Sequence, residues 1–328
     1  ICPLDVFLVT CGEWMHGPGN GCMAQATAHL KRGPRGTAHL KRAPGPRPPG
    51  SLRAMEFVTV TRDAGLLTIA INRPEGHNSL NRALRLELRR AFEEAAEQCV
   101  VKQGTDATAS GEADADPVRA VLLKGGKKVF CTGQDLKEHL GEMNDASAMD
   151  KVDTEYNPMV AALAAIPVPV VAAVNGAAAG AGWSLALNCD FRVAARSASF
   201  KAAFPSIGLA TDCGISYLLP QLVGPAKALQ LLYDDSPIKA EAAHELGLVT
   251  QVVDGDDADE AAEAFARKLA SGPTGSYREI KALVKDASAM LAIADRESGA
   301  QKRLVVTADH KEAVDAFLNK RAPEFTGR

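Results

Sequence analysis

The sequence predicts an α/β fold with a helical C-terminal region, and three observations carry that expectation. β-rich runs and helical runs alternate through the first two thirds of the chain. From about Gly224 onwards the pattern is helical alone. The composition agrees: of 328 residues, 46% are apolar and 23% charged, which suits one large globular domain with appendages. Strands interleaved with helices bury their apolar faces as a sheet covered by helices.

Taken in order, the elements justify themselves locally. "FVTVTR" and "LLTIAIN" are β-rich runs separated by "DAG", the pattern of a hairpin. "NSLNRALRLELRRAFEEAAEQC" places Leu80, Leu84 and Leu88 on one helical face. The acidic, polar "VKQGTDATASGEADADP" reads as a loop, "VRAVLLKG" as a buried strand, and "DASAMDKVDTEYNPMVAALAAI" as largely helical. "PVPVVAAVNG" is a second buried strand running into the small-residue stretch "AAAGAGWSLALNCD". "PAKALQLLYDD", "KAEAAHELG" and "DADEAAEAFARKLASG" then begin a string of helices.

The first 54 residues differ from the rest. They hold seven Pro and eight Gly, repeat "TAHLKR", and carry seven Lys/Arg against Asp5 and Glu13, a balance of +5. With a net charge of −3 for the chain, the other 274 residues carry −8. We expect residues 1–54 to be a disordered or artefactual leader, residues 55–255 to form the core, and 256–328 a helical C-terminal region. A net acidic body argues against nucleic acid as partner, because phosphate neutralisation dominates such binding. No run approaches the ~18 consecutive apolar residues of a membrane helix. The cysteines at 2, 11, 22, 99, 131, 189 and 213 are odd in number and form no CxxC pair. Neither a disulfide framework nor a metal site is suggested, and a reducing cytoplasm is the expected setting.

The small-residue stretch invites three motif readings, and each fails. Gly180 and Gly182 start a dinucleotide fingerprint, but its third glycine position is Leu185. No Gly-Lys-Ser/Thr follows, as a phosphate loop requires. "GWSLA" resembles a serine-hydrolase elbow around Ser184, but the elbow needs a strand turning sharply at the serine, and the strand ends near Val174. What remains is a run that lets a ligand approach the backbone closely, with a helix start aiming free N–H groups at it. Such donors suit an anionic oxygen that develops during reaction. Tight helix packing is the competing explanation.

"FPSIGLATDCGISYLLP" contains one ionisable side chain, Asp212, in a mostly apolar run. As a helix N-cap it would be unremarked. Kept out of bulk water, it would be an acid/base with a pKa raised towards working pH.

Three stretches in order, "KVFCTGQDLKEH", "PVPVVAAVNGAAAGAGWSLALNCDFRVAARSASF" and "IGLATDCGISYLLPQLVGPAKALQLL", resemble the crotonase (enoyl-CoA hydratase/isomerase) superfamily. "INRPEGHNSLN" and "EAVDAFLNKRAPEFTGR" extend the resemblance from about Met55 to the end. It implies the crotonase fold, a spiral of ββα units with a helical C-terminal trimerisation region, assembled as a homotrimer or dimer of trimers. It implies acyl-CoA thioester substrates, with coenzyme A entering as part of the substrate and no further cofactor. The oxyanion hole would be the main-chain N–H groups of Gln134, just after Gly133, and Ala181, between Gly180 and Gly182. The two glutamates of typical hydratases fall here on Ser184 and Phe204, so two-glutamate hydration is not expected. Asp212 stands where isomerases of the family place their carboxylate. "GLATDCG" is similar to dienoyl-CoA and ring-1,2-epoxyphenylacetyl-CoA isomerases, and "EYNPMV" to the latter. One carboxylate is enough to move a double bond, so an enoyl-CoA isomerase is expected, with a hydratase of unusual acid/base set or a non-catalytic acyl-CoA binder as alternatives. Arg73, His77 and Lys137 are candidates for CoA phosphates or are simply solvated. Asp135 is expected to cap the helix at "LKEHL". Trp183 and Tyr156 line the acyl pocket or pack the core, and Cys131, Cys189 and Cys213 are expected to pack.

Overall fold

A computed structural model describes residues 55–99, 117–142 and 147–328. The leader at 1–54, nearly all of the acidic loop at 101–117 and residues 143–146 lie outside the described residues. Strands β1 (Val58–Asp63) and β2 (Leu66–Ile71) pair antiparallel with Asp63 opposite Leu66. The turn residues Ala64 and Gly65 have φ of 46° and 79°, the two-residue geometry whose twist suits a hairpin. Helix α1 (Arg82–Gln98) starts where Asn81 accepts the Leu84 N–H at 3.0 Å, and buries Leu84, Leu88 and Phe92 on one stripe.

Next come β3 (Ala120–Lys124), β4 (Val129–Cys131), α2 (Leu136–Glu142), a π turn over Val152–Tyr156, and α3 (Asn157–Ala164). Strands β5 (Val170–Val174) and β6 (Ala177–Ala179) lead to α4 (Ala181–Asn188), followed by β7 (Phe191–Ala195) and β8 (Ser199–Lys201). Then follow α5 (Ile215–Val223), α6 (Pro225–Asp234), β9 (Ile238–Lys239), α7 (Ala240–Glu245) and β10 (Gln251–Val253). The remaining helices are α8 (Asp259–Ala270), α9 (Thr274–Val284), α10 (Ala287–Leu304) and α11 (Ala308–Leu318).

Six strands form one sheet in the order β1-β2-β3-β5-β7-β10, parallel from β2 onwards. A second sheet has the order β4-β6-β8-β9. Alternation along β3 shows how the large sheet is covered: Val121 and Leu123 join the core with Leu84, Leu88 and Phe92, whereas Ala120 and Leu122 meet Ala262, Ala266 and Ala270 of α8. With helices on both faces, β5 is buried at every position, as expected of a central parallel strand. The C-terminal third is not helical alone. "QVV" at 251–253 adds the sixth strand beside β7, too short a run to stand out beside its charged neighbours.

Behind α1 lies a buried ionic cluster. Arg85 is 1% exposed and bonds Glu155 at 2.6 Å and Glu138 at 2.7 Å, with its guanidinium 4.8 Å from the Tyr156 ring centre. It joins α1 to α2 and to the π turn, so the "EYNPMV" segment serves packing here. Among the described residues no helix is long and apolar enough to cross a membrane.

Candidate active site

Two loops meet at the junction of β4, β6 and α4. Gly133 has φ +82°, and a Cβ there would lie 2.7 Å from Ala179 O and 3.2 Å from Ala181 N. A Cβ on Gly182 would lie 2.1 Å from Cys131 O. Only hydrogen at both positions allows this approach, which is what the small-residue run provides. Gln134, Gly180 and Ala181 therefore line one cavity of about 350 Å³. Among the described residues neither the Gln134 nor the Ala181 N–H goes to a main-chain carbonyl, and Ala181 opens α4, where no carbonyl lies one turn back.

Asp212 lines the same cavity, 5% exposed, and its Oδ1 has no partner among the described residues. Burial pushes its carboxyl up, the negative Glu297 pushes it further, and a hydrogen bond with Cys213 pulls back. It ends at about 7 against an ordinary 3.8. The N-cap alternative does not hold, because the residue before α5 is Gly214 and no side chain of its own segment caps it. Glu297 does that work from α10, accepting the N–H of Gly214 at 2.6 Å and of Ser216 at 2.9 Å.

Side chains from two helices pin the segment carrying Asp212. From α4, Ser184 Oγ donates to Asp212 O at 3.1 Å and Asn188 Nδ2 to Cys213 O at 3.0 Å. From α10, Gln301 Nε2 donates to Ala210 O at 2.6 Å. Ser184 is fully buried within α4, away from any strand-to-helix elbow. Phe204, 4% exposed, forms an apolar part of the cavity wall.

The other sequence candidates fall elsewhere. Asp135 caps α2, accepting the N–H of Lys137 at 2.9 Å and of Glu138 at 3.1 Å. Burial alone would raise its carboxyl, but the Glu138 N–H and the Arg73 guanidinium hold it below the ordinary carboxylate range. Arg73 is committed to that carboxylate at 2.6 Å and to Ser79. His77 and Lys137 are exposed; the carbonyl of His77 accepts from Thr132, a cavity residue, at 3.2 Å. Trp183 is fully buried and packs on Phe200, their ring centres 6.4 Å apart. None of Arg73, His77, Asp135, Gly182 or Trp183 lines the cavity. Buried Cys131, Cys189 and Cys213 have thiols pushed up by desolvation, as packing residues do.

Sequence reasoning missed Glu297 and Gln301. It also missed a buried pair, His139 on α2 and His310 on α11, whose Nε2 atoms lie 2.9 Å apart. The available signal for the first two was polar residues continuing the buried stripe of α10 after Met290 and Ala294.

A larger groove of about 860 Å³ runs between α9 and the β7–α5 side. Its two acids are already engaged: Asp190 pairs with Lys281 at 2.7 Å and Lys285 at 2.8 Å, and the exposed Asp286 caps α10, accepting the Ala289 N–H at 2.9 Å. The smaller cavity holds a buried carboxyl together with two main-chain donors.

Comparison with known proteins places this fold and cavity in a family. Residues 61–328 match the enoyl-CoA hydratase/isomerase family, and the chain belongs to that family, with the crotonase fold. It is 38% identical over 280 residues to the 1,2-epoxyphenylacetyl-CoA isomerase of Escherichia coli K12, covering 84% of this chain and all of the relative. It is 32% identical over 270 residues to the trans-2-decenoyl-[acyl-carrier-protein] isomerase of Streptococcus mutans, covering 81% and 96%. An enoyl-CoA hydratase structure from Mycobacterium avium subsp. paratuberculosis superposes with a TM-score of 0.69 at 31% identity, covering 83% of this chain and all of the other.

Proposed function

We propose that the protein is an enoyl-CoA isomerase that moves a carbon–carbon double bond with one acid/base. Asp212 takes a proton from the carbon next to the thioester carbonyl. The charge left behind spreads over a dienolate, whose oxygen is held by the N–H groups of Gln134 and Ala181. Asp212 then returns the same proton two carbons further along, giving the conjugated thioester. The steps conserve atoms and need no metal or redox cofactor.

The observation that carries this reading is the cavity itself, which among its lining residues has one carboxyl, pushed up by burial to about 7, and Phe204 in its wall. A general base works best with a pKa near the operating pH. Hydration must activate water as well, and Phe204 offers it nothing. The names of two relatives as isomerases support the reading; a relative named as a hydratase keeps hydration as the second one.

The test is an absorbance assay on a 3-enoyl-CoA and on crotonyl-CoA side by side. Conjugation should appear from the first, with crotonyl-CoA left intact, and Asp212→Asn should lower turnover by at least about 10²-fold with CoA binding kept. Consumption of crotonyl-CoA, or an unchanged rate in the variant, would refute it.

We also propose a homotrimer. In its support, α9 buries none of its residues and exposes Ile280, Leu283 and Val284 beside the 860 Å³ groove, an apolar face that a second copy would cover.

A further inference from the structure

Helix α10 turns one stripe inward, and that stripe changes character along its length. Met290 and Ala294 are apolar; Glu297, Ser298 and Gln301 follow them, polar and equally buried. Two of these grip the Asp212 segment from either side. Gln301 donates to Ala210 O at 2.6 Å, two residues before the aspartate. Glu297 accepts from Gly214 N at 2.6 Å, two residues after it, and from Ser216 N and Oγ at 2.9 and 2.5 Å. Glu297 and Gln301 lie one helical turn apart, so a single rigid element holds both ends of the pentapeptide 210–214.

We propose that Glu297 and Gln301 are positioning residues for Asp212: the pair clamps the backbone on both sides of the carboxyl, and Glu297 brings a second buried carboxylate to the same segment, two residues from it. The proposal rests on Asp212 being the acid/base proposed above. Ser, Thr or Asn would satisfy the N–H groups at the start of α5 with no charge to bury. A buried carboxylate costs more to desolvate, and what it adds is a negative charge beside Asp212, where it opposes ionisation. The other groups facing Asp212 bring no comparable charge. Cys131 from β4, Tyr156 from the π turn and its neighbour Cys213 are held neutral by burial. Ser184 from α4 does not titrate, and Lys201 in the cavity wall faces Asp235 at 3.5 Å.

The test compares pH profiles of kcat/KM on a 3-enoyl-CoA for the full chain and for Glu297→Gln, Glu297→Asp and Gln301→Leu. Glu297→Gln removes the charge, so the acid limb should move down by roughly one pH unit or more. Glu297→Asp keeps the charge but retracts the carboxylate from Gly214, so kcat should fall about 10-fold with the limb unmoved. Gln301→Leu should likewise lower kcat about 10-fold with KM and the limb kept. An unmoved limb in folded Glu297→Gln, or a limb that moves alike in Glu297→Gln and Glu297→Asp, overturns the electrostatic half. A kcat within about twofold of wild type in Glu297→Asp and Gln301→Leu overturns the clamp, and these two decide it even where Glu297→Gln does not fold. Should Asp212→Asn keep full activity, it is the isomerase reading that fails. The electrostatic half is then read directly, from the ¹³C-carboxyl titration of Asp212 with and without the Glu297→Gln change, and the clamp from amide hydrogen exchange across residues 210–214 in Gln301→Leu, which should speed up if the clamp holds and stay unchanged if it does not.

Discussion

A carboxyl held in an apolar cavity should weaken the fold at the pH where it works, and the size of that effect follows from its proton affinity. In the unfolded chain Asp212 ionises near 3.8; in the folded protein it does so at about 7. Below 3.8 it is neutral in both states and costs nothing. Between the two values folding takes up a proton, so stability falls as pH rises, and above 7 the full penalty is present. At about 1.4 kcal/mol per tenfold in proton affinity, the rise from 3.8 to about 7 amounts to about 4 kcal/mol as a ceiling. Asp212→Asn keeps the shape and abolishes the ionisation. Its stability relative to wild type should therefore be near zero at about pH 4 and grow to a gain of up to about 4 kcal/mol by about pH 8.5. In thermal melts that is on the order of 10 °C for a domain of this size. The assay is a pair of melts, wild type and variant, repeated across the pH range. A variant equally or less stable than wild type at about pH 8.5 would refute the claim that burial and Glu297 hold this proton. The expected gain in stability comes with the loss of turnover, as at sites strained for function.

Two further predictions test the parts around the aspartate. Gly133→Ala places a methyl 2.7 Å from Ala179 O at a φ that favours glycine, so the two loops must part. The loss of one oxyanion donor costs about 3 kcal/mol in the transition state, and kcat should fall about 10²-fold with substrate binding kept; a kcat within threefold of wild type, roughly, would clear these N–H groups of the role. Leu283→Glu puts a charge on a residue 86% exposed in the single chain and should convert a trimer into monomers in analytical ultracentrifugation. A wild-type protein that sediments as a monomer would remove the trimer proposal.

Much of this fold is legible because its signals are local. The "DAG" turn, the Leu84/Leu88 stripe and the Val-rich run of β5 each specify their own element within a few residues, whereas Leu80, expected on the same stripe, precedes the cap Asn81 and pairs with Gln134 instead. The start of α4 was legible too, since a Gly/Ala run has few uses other than close approach. Asp212 was recognisable as a candidate but its state was not. An Asp before an apolar helix is locally a cap, and only the carboxylate of Glu297, 83 residues beyond Gly214, takes that job away from it. A separation of 91 residues from Ala210 hid Gln301. Arg73 misled in the other direction: a basic residue near the start of the family motif looks free for phosphate, until Asp135, far along the chain, is folded against it at 2.6 Å. The His139–His310 pair joins residues 171 positions apart, and no local pattern announces it.

The arrangement also explains why a single carboxyl would suffice on the proposed reading. For the same proton to leave one carbon and return to another, the acid must hold it through the lifetime of the dienolate. A carboxyl with an ordinary affinity would lose that proton to any water within reach. Asp212 is protected twice: burial beside Phe204 and Leu209 keeps it out of bulk water, and Glu297 raises the cost of leaving it ionised. On the proposed reading the N–H groups of Gln134 and Ala181, which line the same cavity, favour the negative charge on the substrate oxygen over the aspartate. The first transfer moves charge from Asp212 to the substrate oxygen, where main-chain dipoles are already aimed, and the second returns it to Asp212 as the proton reaches the far carbon, with no side chain needing to reorganise. A glutamate in place of Phe204 would put a second anion in the cavity wall and give water a handle there; phenylalanine leaves Asp212 as the one carboxyl among the described lining residues.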